Sequence, residues 1–183
     1  MRSAFFPLAA LALLSGCGGK EDVSLKNATL EEVAKAGKGA TQLNPGQWET
    51  VIRIVAVELP GVDGAMSKGI TAKMVGQETK SSQCISKEQA ANPSAEMLAG
   101  ANGTENCKFE TFDIKDGTLS LKLACGKVGE AGAMVMTSSG PYGGDAYTLD
   151  TNMTMASPVG QMKIKATNSA KRVGECVVGA KSS

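Results

Sequence analysis

Five methionine side chains form the most unusual chemical grouping in this sequence. Methionine is flexible and polarizable, so several together can fill irregular core space, line a pocket for an acyl chain or another apolar ligand, or bind Cu(I) through soft sulfur atoms. Filling the core is the commonest of these roles. Their alternation predicts that they share one face of neighbouring strands. The candidate apolar ligand face therefore comprises Met134, Met136, Met153, Met155 and Met162.

Four cysteines in the second half of the chain indicate covalent cross-links. An even number in an exported domain is typical of disulfides, and the spacing contains no C-x-x-C pattern for zinc. In a hairpin that turns at Asp116-Gly117, Cys107 and Cys125 fall on opposite faces and cannot pair, unless a one-residue bulge shifts the register. We therefore predict the disulfides Cys84–Cys107 and Cys125–Cys176.

The fifth cysteine, Cys17, follows a short apolar N-terminus. The segment Leu14-Ser15-Gly16-Cys17 resembles the bacterial lipobox, in which the thiol takes a diacylglyceryl group. The apolar run from Ala4 to Leu14 is too short for a bilayer, which needs about 20 residues, and is typical of a signal peptide. We predict a signal peptide over 1–16 and a lipid anchor on Cys17. Gly18 favours the outer membrane of a Gram-negative cell envelope, with the domain facing the periplasm.

Composition argues against several classes of function. The chain contains no histidine, the commonest general base and metal ligand. Ser138 and Ser139 lie near Asp145 without a base to activate them, and Gly140–Gly144 lacks the lysine of a P-loop. The 19 Lys and Arg residues nearly balance the 18 Asp and Glu residues, so nothing indicates nucleic-acid binding. We expect no enzyme activity, no cofactor and no metal.

Strands must position these side chains, because apolar residues recur with a period of two from Pro45 onward. The pattern predicts a strand over 48–59, a hairpin over 107–125 and an antiparallel meander to about Arg172. Ser86 and Gln89 match a capping box that opens a short helix. We predict a mainly β domain over 45–176, a single curved antiparallel meander sheet or partial barrel with one short helical insertion and two disulfides. Residues 177–183 form a C-terminal tail.

Residues 17–44 have the composition of a tether between the anchor and this domain. Thr29 and Glu32 match a second capping box, which predicts a short helix to about Ala36. This helix either docks on the domain or stiffens the tether, and its thin apolar stripe favours the second role.

Four short segments carry a resemblance to a known family. They are Asn-Pro-Gly-Gln-Trp-Glu at 44–49, SQCISKEQAANP at 82–93, NCKFETFDIKDGTLSLKLAC at 106–125 and AKRVGEC at 170–176. In this order they resemble the domain-of-unknown-function 3617 family (DUF3617) of bacterial exported proteins and lipoproteins. The resemblance implies an exported domain from Pro45 to Cys176 and brings no activity.

These observations predict a non-catalytic lipoprotein of the cell envelope. We expect it to bind an apolar ligand or a protein partner on the concave face of the sheet. The alternative is a purely structural or stress-response envelope protein with a filled core and no ligand. The apolar face distinguishes the two, because residues 86–99 either cover it or leave it open.

Overall fold

A computed structural model describes residues 22–38, 43–91, 106–127, 130, 132–157 and 160–176. Within these ranges the chain forms eight strands and three helices. In chain order they are β1 (Val23–Ala28), α1 (Leu30–Ala36), β2 (Gly46–Glu58), α2 (Gly64–Met74), β3 (Glu78–Ile85), α3 (Lys87–Ala91), β4 (Cys107–Lys115), β5 (Thr118–Cys125), β6 (Met134–Gly143), β7 (Ala146–Ser157) and β8 (Gly160–Gly174).

All of these strands belong to one antiparallel sheet with the order β1-β4-β5-β6-β7-β8-β2-β3. Strands β4 to β8 form a meander, β1 pairs with β4 at one edge, and β2 and β3 extend the other edge. The edge strands β1 and β3 do not pair with each other, so the sheet is open. The predicted mainly β antiparallel meander is confirmed.

Two clusters of buried side chains cover parts of the apolar face of the sheet. The larger involves β1, β4, β5 and α1, where the fully buried Val33 packs with Phe109 and Leu123. The smaller joins Leu43, Trp48, Ile85 and Ala170. The space between the two clusters contains the candidate site.

The two ends of the sheet differ in their side chains. We call one the aromatic end, where β1 and β2 begin and where Trp48, Tyr142 and Tyr147 lie. The opposite end, where β6 begins at Met134 and β1 runs into α1, we call the methionine end. Because neighbouring strands are antiparallel, α2 also lies at the methionine end, after β2, and α3 lies at the aromatic end, after β3.

The predicted tether over 17–44 is wrong for much of its described part. Residues 23–28 form β1, with Leu25 opposite Phe112 of β4. The capping box is confirmed, since the Thr29 hydroxyl accepts from the Glu32 amide and the Glu32 carboxylate accepts from the Thr29 amide. The helix docks on the sheet, because Val33 is fully buried against it.

The other two helices differ in how far the sequence predicts them. The start of α3 is confirmed, because Ser86 and Gln89 exchange the two hydrogen bonds of a capping box. Residues 92–105, and with them most of the proposed cover over 86–99, lie outside the described residues. No prediction corresponds to α2, which has no buried residue and therefore no apolar face for periodicity to reveal.

Two disulfides are present, but the predicted pairs Cys84–Cys107 and Cys125–Cys176 are wrong. The structure pairs Cys107 with Cys125, whose Cα atoms are 4.0 Å apart, and Cys84 with Cys176, at 5.4 Å. A register shift between Phe109 and Thr111 leaves Glu110 as an extra residue in β4. This bulge moves Cys107 to a position directly opposite Cys125.

Candidate ligand-binding cavity

A cavity of about 350 Å³ lies on the apolar face between the two buried clusters. This volume falls within the range of small-molecule sites, which is roughly 300–1,000 Å³. Its lining comes from strands as far apart as β5, through Leu119 and Leu121, and β3, through Gln83 and Ile85. These strands are five neighbours apart, or about 24 Å in a flat sheet. The sheet therefore curves around the cavity.

Three of the five candidate methionines line this cavity: Met134, Met136 and Met153. The strand register places Met136 opposite Met153 and Met134 opposite Met155. Met155 in turn lies opposite Met162 on β8. All five thus share one face of the sheet, but Met155 and Met162 continue the row towards the strand ends and do not contribute to the lining.

The cavity is closed at the aromatic end and more exposed towards the methionine end. Trp48 is only 1% exposed, whereas Ile52, on the same wall, is 41% exposed. Met134, Met136 and Met153 are each partly exposed. Among the residues that the structure describes, the more exposed end of the cavity is the methionine end, which we call its mouth.

Three aromatic rings form the closed end. Tyr147 stacks between its neighbours, with its ring centroid 6.3 Å from that of Trp48 and 5.6 Å from that of Tyr142. Burial raises the pKa of the Tyr142 phenol, and the neighbouring Tyr147 adds to the effect. Burial also raises the pKa of Tyr147, although hydrogen bonds with Thr50 and Asn168 partly offset it. Both phenols are therefore neutral at physiological pH.

A short row of uncharged polar groups crosses the middle of the cavity wall. Ser138 is buried, and its hydroxyl lies 2.9 Å from that of Thr151, with which it hydrogen-bonds. Asn168 lies on β8, opposite Leu149. The Asn168 side chain hydrogen-bonds with the Tyr147 phenol, and this bond lowers the pKa of that phenol. Its Oδ1 is buried and has no hydrogen-bond partner among the residues that the structure describes.

No sequence prediction places Ser138, Thr151 or Asn168 in the lining of the cavity. Asn168 lies in the run Ala166–Ala170, which has no large apolar residue to mark its inner positions. Ser138 and Thr151 lie in strands whose apolar residues do alternate, and this alternation places both hydroxyls on the same face as the methionines. The alternation within β6 and β7 was therefore the signal that could have identified these two lining residues.

At the aromatic end, two of the segments that carry the family resemblance, 44–49 and 170–176, contact each other. Trp48 Nε1 donates a hydrogen bond to the Asn44 carbonyl oxygen at 2.9 Å, and Asn44 Nδ2 donates to Asp145 Oδ1 at 3.0 Å. Arg172 Nε donates to the Pro45 carbonyl oxygen at 2.7 Å. These contacts hold Trp48 in the core and close one end of the cavity.

The lining offers little for catalysis or metal binding. Of the described residues that line the cavity, none is Asp, Glu, Lys or Arg. In the same described ranges, no group of three or more His, Cys, Asp or Glu side chains is placed to hold a metal ion. No helix in those parts of the chain is long and apolar enough to cross a membrane. The predicted anchor residue Cys17 lies outside the described residues.

Comparison with known proteins gives one match. The model of a family described as "Protein of unknown function (DUF3617)" matches residues 43–176. This range begins at Leu43 in the smaller buried cluster and ends at the disulfide-bonded Cys176, so it contains every strand except β1. Neither a curated protein nor a solved structure matches the chain.

Proposed function

We propose that this chain, which belongs to the DUF3617 family of proteins of unknown function, is a non-catalytic module whose cavity binds an apolar ligand. The observation that supports this proposal is the cavity itself, with its uncharged and largely apolar lining. Apolar surface in a recess gains free energy when a ligand removes it from water. The flexible side chains of Met134, Met136 and Met153 suit ligands of irregular shape.

The described lining of the cavity contains no Asp, Glu, Lys or Arg side chain, and this supports a binding role. The Ser138 hydroxyl bonds to Thr151, and the chain has no histidine that could take its proton. Burial raises the pKa of both tyrosines above their ordinary value, so neither phenol is disposed to act as a base near neutral pH. The lining therefore offers hydrophobic contact and neutral hydrogen bonds, and we expect binding without turnover.

The first test uses two methionine variants of the mature chain, residues 17–183 with Cys17→Ser, and the neutral fluorescent probe N-phenyl-1-naphthylamine. Met136→Asp places a carboxylate on the cavity wall, where it must be desolvated when the probe binds. We expect it to weaken binding by about tenfold or more, equivalent to ~1.4 kcal/mol. Met155→Asp is the matched control, because this residue shares the face but does not line the cavity; we expect a change of less than about twofold.

Urea unfolding of both variants checks that they fold. The proposal fails if the wild-type protein does not bind the probe, which is the result expected of a structural protein with a filled core. It also fails if both variants weaken binding equally, since the probe would then occupy the exposed row of methionines beyond the cavity.

We further propose that Cys17 anchors the protein in a Gram-negative envelope. Two or three acyl chains on one residue attach a protein stably, whereas a single chain does not. In cells, Cys17→Ser should move the protein from the membrane fraction to the soluble periplasmic fraction. Mass spectrometry of the N-terminal peptide should show acyl groups on Cys17 in the wild type. A wild-type N-terminus that begins elsewhere, without lipid, would contradict the proposal.

A further inference from the structure

A row of sulfur-containing side chains crosses five neighbouring strands at the methionine end. The register places Cys125 of β5 opposite Met134 of β6. Met134 is opposite Met155 of β7, which in turn is opposite Met162 of β8. Cys107 of β4 lies opposite Cys125 and is joined to it by a disulfide. Residues directly opposite each other share a face of the sheet, so these five residues, which we call the sulfur row, all lie on its concave face.

Packing does not account for the three methionines of the sulfur row. Among the described residues, the two buried clusters and the side chains packed against them include none of Met134, Met155 and Met162. Met155 and Met162 do not line the cavity either. All three are partly exposed, so a solute can reach them from water. Filling the core therefore does not explain why sulfur recurs at three adjoining positions.

The spacing of these three side chains suits a single small ion. Opposite residues on neighbouring strands have Cβ atoms about 4.5–5.5 Å apart, so Met155 adjoins both of the others. Met134 and Met162 are two strands apart, or about 10 Å in a flat sheet, and the inward curvature brings their tips closer. Methionine has three rotatable bonds, which let its sulfur turn towards a shared point. The three thioethers can therefore converge on one ion beside Met155.

The chemistry of the row favours one kind of ion. Soft thioether sulfur selects Cu(I), whereas Mg²⁺ and Ca²⁺ take oxygen ligands and Zn²⁺ sites use thiolate, imidazole or carboxylate. Cys125 is held in a disulfide and offers no thiolate. Lys163 and Lys165 of β8 alternate with Met162 and therefore project from the other face, which keeps their charge away from a cation on this one.

We propose that Met134, Met155 and Met162 form a Cu(I) site at the methionine end. The ion binds through three neutral thioethers, so no proton is released and no electron is transferred. The expectation of no metal rested on the absence of histidine, which a thioether site does not need. The site goes beyond the proposed function, because Cu(I) binding does not require an apolar ligand in the cavity.

The test measures Cu(I) affinity by competition with the chelator bicinchoninate, without oxygen and with ascorbate. It uses the mature chain with Cys17→Ser, with both disulfides verified as intact by mass. We expect the wild type to bind one Cu(I). Met155→Leu keeps the volume of the side chain and removes the central sulfur. It should weaken binding by about 100-fold or more, because even residues that only orient a metal ligand cost roughly 10- to 100-fold when changed.

Two further variants locate the site. Met162→Leu, at the outer end of the row, should also weaken binding by about 100-fold. Met136→Leu is the matched control, because Met136 shares a strand and a face with Met134 but lies opposite Met153, outside the row. We expect it to change the affinity by less than about twofold. The urea midpoint of each variant reports whether it folds.

The pH dependence identifies the ligands. A thioether has no proton to lose, whereas a cysteine thiol or an α-amino group must lose one before it binds a metal, and this makes the affinity depend on pH. We therefore expect the same Cu(I) affinity at pH 6 and at pH 8. An affinity that rises steeply over this range would mean that thiolate or amine holds the ion, and would overturn the inference.

The remaining outcomes also decide the matter. A wild-type protein that does not compete with the chelator overturns the inference, as does wild-type affinity in both Met155→Leu and Met162→Leu. Equal losses in Met155→Leu and Met136→Leu overturn it too, since the methionines of the cavity wall would then hold the ion. Binding of N-phenyl-1-naphthylamine is measured separately, so a failure of the proposed apolar site and a failure of the Cu(I) site are distinguished.

Discussion

Tyr142 and Tyr147 face each other at the closed end of the cavity, and burial raises the pKa of both phenols. In the unfolded chain a tyrosine ionises at about pH 10. Above that pH the unfolded chain releases protons that the folded protein retains. The stabilising contribution of the neutral phenols is therefore complete below about pH 10 and is lost as the pH rises towards the folded-state values.

This difference predicts a pH-dependent loss of stability. Between pH 10 and 11.5, the free energy of unfolding should fall more steeply in the wild type than in a Tyr142→Phe, Tyr147→Phe double variant, by up to about 1.4 kcal/mol per pH unit for each tyrosine. Urea unfolding at a series of pH values measures both slopes. The two proteins share every other titratable group, so the double variant corrects for the contribution of those groups. Parallel slopes would contradict the prediction.

At the scale of single residues, the sequence predicts which apolar side chains share a face of the sheet better than it predicts which polar atoms are buried. The shared face of the methionines follows from alternation, because Met134, Met136 and Met153 lie in recognisable strands. The inward position of Asn168 cannot be predicted in the same way, because the small and polar residues around it do not indicate which face of the strand is buried. Its burial depends on the pairing of β8 with β2 and β7, which one sequence cannot supply.

Among the elements, the bulge at Glu110 has the largest effect on covalent structure. Deleting Glu110 leaves β4 and β5 with equal numbers of residues between the turn and the cysteines, so the bulge should disappear while Cys107 stays directly opposite Cys125. We expect both disulfides to form, so that thiol titration of the denatured protein finds no free thiol. Deleting Lys122 from β5 is the contrast, because it increases the mismatch between the two strands and should prevent the Cys107–Cys125 disulfide, leaving two free thiols. Free thiols in the Glu110 deletion variant would contradict this role of the bulge.

The elements that the sequence predicts are those with strong local signals. The hairpin turn at Asp116 and Gly117 is one, where both residues have positive φ, 49° and 73°, as a two-residue turn requires. The two capping boxes are another. The bulge leaves a weaker signal, the odd spacing between Phe109 and Phe112, which are both fully buried although strict alternation would place them on opposite faces. Strand β1 was missed because its six residues gain their stability from β4, far along the chain.

At the scale of the whole molecule, β1 brings the sheet close to the proposed anchor. Only six peptide bonds separate Cys17 from Val23, which begins β1 at the aromatic end. Six residues span at most about 20 Å. The twelve residues of β7, by comparison, extend for about 40 Å along the sheet. A lipid on Cys17 would therefore keep the aromatic end, and not the methionine end, beside the bilayer.

This arrangement predicts how fast a membrane-anchored protein takes up ligand. Loading from an apolar competitor of the probe that is dissolved in the host vesicle should be slow, and an insertion of 20 Gly and Ser residues after Lys20 should accelerate it. Loading from the same competitor in solution should be the same for both proteins. Probe displacement in reconstituted vesicles measures the rates. If the host bilayer loads the wild type as fast as it loads the lengthened variant, the short connection does not restrict the mouth.

The position of the mouth at the methionine end then determines the direction in which the cavity opens. With its closed end beside the membrane that holds it, the protein would present its mouth to the aqueous compartment. Ligand would then enter and leave the cavity through water, not directly from the lipids that hold the anchor.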